Sequence, residues 1–163
     1  ICGGKLEIFI EPILPTPKMV IFGAGHISTQ LSKIATIAGF KTTIVDNRPQ
    51  FANAERFPEA EKIYSDSFEQ AFEAIVPNEN TYLVIVTRGH QEDESVLRWA
   101  VRTDARYIGM IGSKRKIRTI TDQLESEGIP RERLERVYMP IGLDIGAGLR
   151  LRFVGLLLFG DLE

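Results

Sequence analysis

Cysteine is nearly absent from this sequence, and with it the means of covalent cross-linking. A single cysteine, Cys2, excludes an internal disulfide and cannot form a thiolate metal cage alone, which favours a reducing compartment. No apolar run approaches the ~20 residues that a membrane helix requires, and no Lys/Arg run extends beyond residues 114–116. We therefore expect a cytoplasmic chain that binds neither membrane nor nucleic acid and whose partners are small molecules or other proteins.

Arrangements typical of a catalyst are also missing. The chain shows no nucleophile elbow, no pair of carboxylates spaced for acid–base work and no evident general base. We therefore predict no catalytic residue. Whether the chain is an enzyme stays open at this point, and a non-catalytic accessory role is favoured.

What the sequence does contain is a regular alternation of strand and helix patterns. Its 163 residues, 44% of them hydrophobic, suffice for one domain with a buried core. Strands that alternate with helical patterns are typical of βαβ units with right-handed crossovers. We predict an α/β fold, a Rossmann-like, doubly wound and mainly parallel sheet with helices on both faces. The predicted strands are 18–22, 42–45, 62–64, 82–86 and 106–111, with helices after the first, third, fourth and fifth, and a further short strand is predicted within 6–13.

A glycine-rich turn follows the first predicted strand, in the segment VIFGAGHIS. Gly23 permits a tight turn, Gly25 lets the backbone approach a phosphate, and Ser28 is small enough for close packing of the next helix. The positive end of that helix would point at the ligand. This pattern predicts a dinucleotide-type phosphate site, with a tight turn that binds nothing as the alternative.

An acidic residue and an arginine follow the second predicted strand. Asp46 would accept hydrogen bonds from a ribose hydroxyl, which favours an unphosphorylated ribose, whereas Arg48 would pair with a phosphate. The pair leaves the choice between NAD and NADP open. Asp46 could equally cap its own loop, and Arg48 could equally be a surface charge.

The only two histidines fall at matching places in the chain. His26 follows the first strand and His90 follows the strand YLVIV, and in a Rossmann order these strands are neighbours at the topological switch point. We expect both imidazoles to face one ligand crevice. A metal site of the two histidines with Asp93 is conceivable, but nothing in the spacing defines its geometry, and no metal ligand is predicted.

A second candidate anion site is the segment IGSKRK. Gly112 and Ser113 would expose backbone N–H groups at the start of a helix, and Lys114 and Arg115 add positive charge within one turn. Neighbouring basic side chains on a helix point in different directions, so at most one or two of them can reach a ligand.

Taken together and in this order, six segments resemble the C-terminal Rossmann domain of the XdhC/CoxI family of xanthine dehydrogenase accessory proteins. The resemblance runs from Cys2 to about Ala147, and its most specific parts are GAGH, YIGMIGSKRK and PIGLDIGA. The six segments are CGGKLEIFIEPI, VIFGAGHIS, TTIVDNRPQFANAERFP, YLVIVTRGHQED, YIGMIGSKRK and PIGLDIGA.

The resemblance implies a maturation factor. Members of this family bind the molybdenum cofactor, assist its sulfuration with a cysteine desulfurase, and deliver it to the apoenzyme of a molybdenum hydroxylase. The phosphate of molybdopterin, or the pyrophosphate of its dinucleotide form, would then occupy the glycine turn and the GSKRK turn. Cys2, in the Cys-Gly-Gly segment of the family, becomes a candidate contact to molybdenum or sulfur, with a buried structural cysteine as the equal alternative.

The resemblance also divides the chain. Residues 1–17 would be a strand and linker remnant of a missing N-terminal domain, 18–147 the Rossmann-like domain, and 148–163 an atypical apolar tail. The alternatives from other functional classes are an NAD(P)-binding oxidoreductase and a nucleotide-sensing regulatory domain. A homodimer is an open alternative for the assembly.

Overall fold

Five parallel strands form the centre of the molecule. The structure, a computed structural model, describes residues 3, 7–11 and 15–142. The strands are β1 (Lys18–Phe22), β2 (Lys41–Val45), β3 (Lys62–Tyr64), β4 (Thr81–Ile85) and β5 (Tyr107–Met110). The helices are α1 (His26–Ile37), α2 (Phe68–Ala74), α3 (His90–Ala100), α4 (Lys114–Ser126) and α5 (Arg131–Glu135).

The strand order is β3-β2-β1-β4-β5, and every pairing is parallel. A parallel sheet is covered on both faces, so its strands are apolar along most of their length rather than alternating. Strand β1 shows this clearly, because only Lys18 of its five residues is exposed. The sequence-based prediction of a doubly wound α/β fold is confirmed.

The two faces of the sheet are covered differently. One face packs against α2, α3, α4 and α5, with Leu97, Ile120 and Leu124 fully buried there. The other face packs against α1 and the loop between β2 and β3, where Leu31, Ala52 and Phe57 are buried. Helices therefore lie on both faces. On the second face, α1 covers only part of the sheet, and the loop between β2 and β3 covers the rest.

An aromatic cluster joins β1 to the helices of the first face. Trp99, the only tryptophan of the chain, stacks on Phe72 with ring centroids 4.8 Å apart. The rings of Phe22 and Trp99 meet edge to face, with centroids 5.6 Å apart. Such pairs contribute about 0.5–1.5 kcal/mol beyond the burial of their area, so the cluster fixes α2 and α3 against the sheet.

The chain reverses its direction of winding between β1 and β4, which lie side by side at the centre of the sheet. Their last residues, Phe22 and Ile85, are in register, so the turns that follow them leave the same edge of the sheet. In open α/β sheets this switch point is where ligands bind.

Three details differ from the sequence-based expectation. The strand predicted within 6–13 is wrong for residues 7–11, which form no strand and leave Ile8, Phe9 and Ile10 exposed; a lone strand without a pairing neighbour is not stable. Helix α3 begins at His90 rather than near Asp93. Helix α5, only five residues long, was not predicted.

Among the described residues, no helix is both long enough and apolar enough to cross a membrane. Cys2, the tail at 148–163 and most of the PIGLDIGA segment lie outside the described residues, so the predictions for them stay predictions.

Candidate functional site

The turn after β1 packs directly on the turn after β4. Gly23 has a φ of +108°, and a Cβ built on it would lie 2.4 Å from the carbonyl oxygen of Val86 and 2.9 Å from Cα of Thr87. Both the dihedral angle and this close approach require glycine. The first glycine of the fingerprint therefore serves the fold, because it lets two strand ends at the switch point meet.

Gly25 has a different environment from Gly23. Its φ of −78° suits any residue, and nothing lies within 4 Å of the position that its Cβ would take. Neither its backbone conformation nor packing within the described chain therefore calls for a glycine. Open space at this position is what close approach of a ligand phosphate to the backbone requires.

Helix α1 starts at this open glycine and is free to attract an anion. No side chain caps its N-terminus, and its first turn contains no acidic residue. The first N–H groups of a helix have no partner within the helix and carry its positive dipole end. Ser28, the third fingerprint position, is fully buried as expected, and its Oγ has no hydrogen-bond partner among the described residues.

Asp46 braces the glycine turn from the neighbouring strand end. Its Oδ2 accepts hydrogen bonds from Ala24 N–H at 2.7 Å and from Arg48 Nη2 at 2.7 Å, and its Oδ1 accepts from Nε and N–H of Arg48 at 2.8 and 3.0 Å. Burial alone would raise the pKa of Asp46, but the hydrogen bonds from Arg48 and Ala24 and the charge of Arg48 hold it below its usual value. A ribose hydroxyl could bind Asp46 only by displacing one of these donors.

Arg56 is a site residue that the sequence-based reasoning missed. Its Nη2 donates a hydrogen bond of 3.2 Å to the carbonyl oxygen of Ala24, and its Nε is buried without a partner among the described residues. Two guanidinium groups lie close to the ring of Phe51: its centroid is 4.3 Å from Cζ of Arg48 and 5.2 Å from Cζ of Arg56. The sequence signal was an arginine in the loop that follows the predicted ribose-binding acid.

The start of helix α3 lies beside the start of α1 but is not open to an anion. Gly89 N–H donates to Oε2 of Glu92 at 3.2 Å, so an acidic side chain already occupies this helix end. His90 is the exposed first residue of α3, as His26 is of α1. The two histidines therefore stand at neighbouring helix starts, as predicted from the strand order, but in opposite electrostatic surroundings.

Asp93 joins α3 to the turn before it and to α4. The carboxylate is fully buried, accepts hydrogen bonds from Thr87 N–H at 3.2 Å and from the Thr87 hydroxyl, and forms a salt bridge with Lys116. Burial raises the pKa of Asp93, and Lys116 and Thr87 offset this only in part. With these partners Asp93 is not free to bind a metal together with His26 and His90. No group of three or more potential metal ligands occurs in the part of the chain that the structure describes.

The IGSKRK segment forms the start of α4, as expected. Gly112 is buried, and Ser113 caps the helix by accepting a 3.3 Å hydrogen bond from the N–H of Lys116 through its Oγ. Lys114 and Arg115 are exposed. The structure thus places one of the three cations on Asp93 and leaves the other two at the surface, where a ligand role for them stays a prediction.

A cavity of about 320 Å³ opens at the same edge of the sheet, between the ends of β2 and β3 and helix α3. Its wall begins at Asn47, directly after the Asp46 brace, and continues along the first two turns of α3. The lining residues are Asn47, Asp66, Ser67, Phe68, Glu69, Gln91, Glu92 and Ser95.

Comparison with known proteins identifies the domain. The family model described as the XdhC Rossmann domain matches residues 19–150. An uncharacterized protein of Escherichia coli, YqeB, is 29% identical over 90% of this chain and 27% of its own length. A Bacillus subtilis protein described as a probable subunit of xanthine dehydrogenase is also 29% identical, over 86% of this chain and 41% of its own.

A solved structure has the same fold. The crystal structure of a xanthine dehydrogenase from Bacillus halodurans superimposes with a TM-score of 0.72 at 28% identity, covering 85% of this chain and 41% of that one. The chain therefore spans less than half the length of these relatives.

Proposed function

The chain belongs to the XdhC Rossmann-domain family, and from this membership we propose that it binds a molybdenum cofactor and helps to insert it into a molybdenum hydroxylase such as xanthine dehydrogenase. The names of the Bacillus relatives associate the domain with xanthine dehydrogenase. Delivery of a sulfurated cofactor would require two partners, the hydroxylase apoenzyme and a cysteine desulfurase. The domain itself would act as a carrier.

The observation that carries this proposal is the open start of α1. Gly25 has free space where a side chain would stand, and the helix behind it has neither a capping side chain nor an acidic residue in its first turn. Molybdopterin carries a phosphate, and its dinucleotide form carries a pyrophosphate. Either group would accept hydrogen bonds from the first N–H groups of α1, with His26 beside it.

Positive charge supports the same site. Arg56 reaches the carbonyl oxygen of Ala24 in the glycine turn and forms no salt bridge with any other described residue. Arg48, in contrast, is neutralised by Asp46. We therefore expect Arg56, rather than Arg48, to provide the guanidinium that binds the phosphate.

An NAD(P)-dependent oxidoreductase has less support. The contact that would select an unphosphorylated ribose is an acid that accepts from the ribose hydroxyl, and the oxygens of Asp46 already accept four hydrogen bonds. Calorimetric titration with NAD and NADP is the direct comparison.

The experiment is to identify the cofactor that the protein retains. The chain would be purified anaerobically from a host that makes the cofactor, and released pterin would be measured by its fluorescence. We expect the wild-type chain to retain pterin and His26→Ala to lose most of it. Gln30→Ala, an exposed change one turn further along α1, should retain it. Absence of pterin from the wild-type chain would overturn the proposal, and full retention by His26→Ala would remove His26 from the site.

A further inference from the structure

One residue of the segment IGSKRK points away from any surface ligand. Lys116, in the first turn of α4, is partly buried and forms a salt bridge with the fully buried carboxylate of Asp93. Its neighbours Lys114 and Arg115 are exposed. A buried ion pair adds little net stability over an apolar pair of similar size, because both charges lose their water. Stability alone therefore does not account for a lysine and an aspartate at these positions.

The carboxylate of Asp93 connects Lys116 to the turn after β4. Its Oδ1 accepts hydrogen bonds from the N–H of Thr87 at 3.2 Å and from the hydroxyl of Thr87, while its Oδ2 pairs with Nζ of Lys116. The N–H of Asp93 donates to the carbonyl oxygen of Gly89 at 3.1 Å. Asp93 therefore holds residues 87–89 at both ends, and α4 holds Asp93.

The turn after β4 supports the glycine turn after β1. A Cβ built on Gly23 would lie 2.7 Å from the carbonyl carbon of Val86 and 2.9 Å from Cα of Thr87, so the two backbones are in contact. On its other side the glycine turn is held by Asp46, which binds the N–H of Ala24. Close-packed groups transmit a displacement to each other. A shift of Thr87 must therefore shift Gly23 and the start of α1 that follows it.

We propose that Asp93 is a positioning residue for the open start of α1, and that Lys116 fixes Asp93 from α4. The path runs from Lys116 through Asp93 and Thr87 to the glycine turn, and each step is a salt bridge, a hydrogen bond or a backbone contact. Contiguous networks of this kind carry energetic coupling between separated groups. Anion binding at the start of α1 then depends on how α4 is placed.

The test compares two salt bridges that join the same pair of helices. Lys116→Met removes the cation beside Asp93, near the starts of α3 and α4. Arg98→Met removes a salt bridge near their far ends, where Nε of Arg98 lies 2.6 Å from Oε2 of Glu127. Both changes weaken the packing of α3 on α4, but only the first acts on Thr87. The two variants therefore separate positioning from stability.

Calorimetric titration with pyrophosphate gives the first readout. We expect Lys116→Met to weaken pyrophosphate binding at least about fivefold and Arg98→Met to leave it unchanged, although both changes lower the free energy of unfolding. This readout rests on the proposed function, because it needs an anion site at the start of α1. Equal weakening by the two changes, or unchanged affinity in Lys116→Met, would overturn the proposal.

Amide hydrogen exchange without a ligand gives a second readout, which is independent of the phosphate site. The probe is the N–H of Ala24 in the glycine turn. Its exchange rate is divided by that of Ile21, in the fully buried middle of β1, so that local opening is distinguished from a change in global stability. We expect this ratio to rise at least about fivefold in Lys116→Met and to stay unchanged in Arg98→Met.

Thr87 offers a milder pair of variants in case the loss of Lys116 prevents folding. Thr87→Val removes the hydroxyl that binds Asp93 and should weaken pyrophosphate binding and raise the exchange ratio of Ala24. Thr87→Ser keeps the hydroxyl and should behave as the wild type. Identical results for these two changes would contradict the path through Thr87.

The two readouts also separate this proposal from the proposed function. Absence of pyrophosphate binding in the wild-type chain, together with the expected exchange at Ala24, would contradict the phosphate site alone. An exchange ratio that responds equally to Lys116→Met and Arg98→Met would overturn the positioning role, whether or not pyrophosphate binds.

Discussion

Helices α1 and α3 begin with the same dipeptide, Gly-His, at the ends of two neighbouring strands. Each turn is braced by a buried aspartate that accepts a backbone N–H and pairs with a cation: Asp46 binds Ala24 N–H, and Asp93 binds Thr87 N–H. The two turns differ in which element of the fold contributes the aspartate. Asp46 comes from the end of β2, whereas Asp93 belongs to the first turn of α3 itself, where Glu92 joins it.

This difference determines which helix start can attract an anion. Two carboxylates in the first turn of α3 neutralise the positive end of its dipole, and Glu92 already accepts the N–H of Gly89. The first turn of α1 has no acid. The two helix starts share the Gly-His dipeptide and equivalent places in the sheet, but the location of their carboxylates gives them different electrostatic surroundings.

The largest effect on stability is expected at the contact between the turn after β1 and the turn after β4. Gly23→Ala would place a Cβ 2.4 Å from the Val86 carbonyl oxygen at a φ of +108°, so both turns must shift. We expect a loss of about 3–5 kcal/mol in the free energy of unfolding, measured by denaturant titration.

Gly25→Ala is the matched control for that change. Its Cβ meets nothing within 4 Å, so the free energy of unfolding should change by less than about 1 kcal/mol, while pyrophosphate binding should weaken at least tenfold. Equal destabilisation by the two changes would contradict the assignment of one glycine to the fold and the other to a ligand.

Removing Asp46, which braces the turn after β1, is expected to have an intermediate effect on the free energy of unfolding. Asp46→Asn leaves Arg48 without its carboxylate and should lower the free energy of unfolding by about 2–3 kcal/mol at pH 7. Because the pKa of Asp46 is lowered on folding, the ionised carboxylate stabilises the fold fully above about pH 4. This contribution is lost as the pH falls through the folded-state pKa.

The measurement is therefore unfolding of wild type and Asp46→Asn as a function of pH. The difference between them should shrink as the pH falls below about 4. A difference that stays constant over this range would mean that the charge of Asp46 does not stabilise the turn.

The smallest effect on stability is expected when an acid is added to the open helix start. His26→Glu places a carboxylate in the first turn of α1 and should raise the free energy of unfolding by about 0.5 kcal/mol through the helix dipole, yet weaken pyrophosphate binding at least tenfold. His90→Glu adds a third acid to the first turn of α3, beside Glu92 and Asp93, and should leave pyrophosphate binding unchanged. Similar losses of binding in both variants would show that the two helix starts are electrostatically equivalent.

The fold was predictable because apolar strands, helical periodicity and turn residues all indicate the same βαβ units. Ser67 illustrates this, since it caps α2 as its residue type predicts. The prediction of a short strand near the N-terminus was wrong for residues 7–11. A composition typical of strands leads to a strand only where a partner strand is present, and a local sequence pattern does not show whether one is.

The candidate site was predictable only in part. The two glycines of the fingerprint look equivalent in sequence. Position 23 requires a glycine because the backbone of Val86, more than 60 residues away along the chain, leaves no room for a Cβ. Likewise the pairing of Asp93 with Lys116 requires α3 and α4 to pack together. Long-range contacts of this kind separate a residue that holds the fold from one that faces a ligand, and the spacing of residues along the chain does not show them.

The stacking of Trp99 on Phe72 gives the molecule an optical signal of its own. Since the chain has one tryptophan, its tryptophan emission arises from a single position, on the last turn of α3 and against the aromatic cluster of β1 and α2. The open start of α1 lies next to the opposite end of α3. A shift of that emission on adding a colourless ligand such as pyrophosphate would therefore report a rearrangement transmitted to the far end of α3 rather than contact with the ligand.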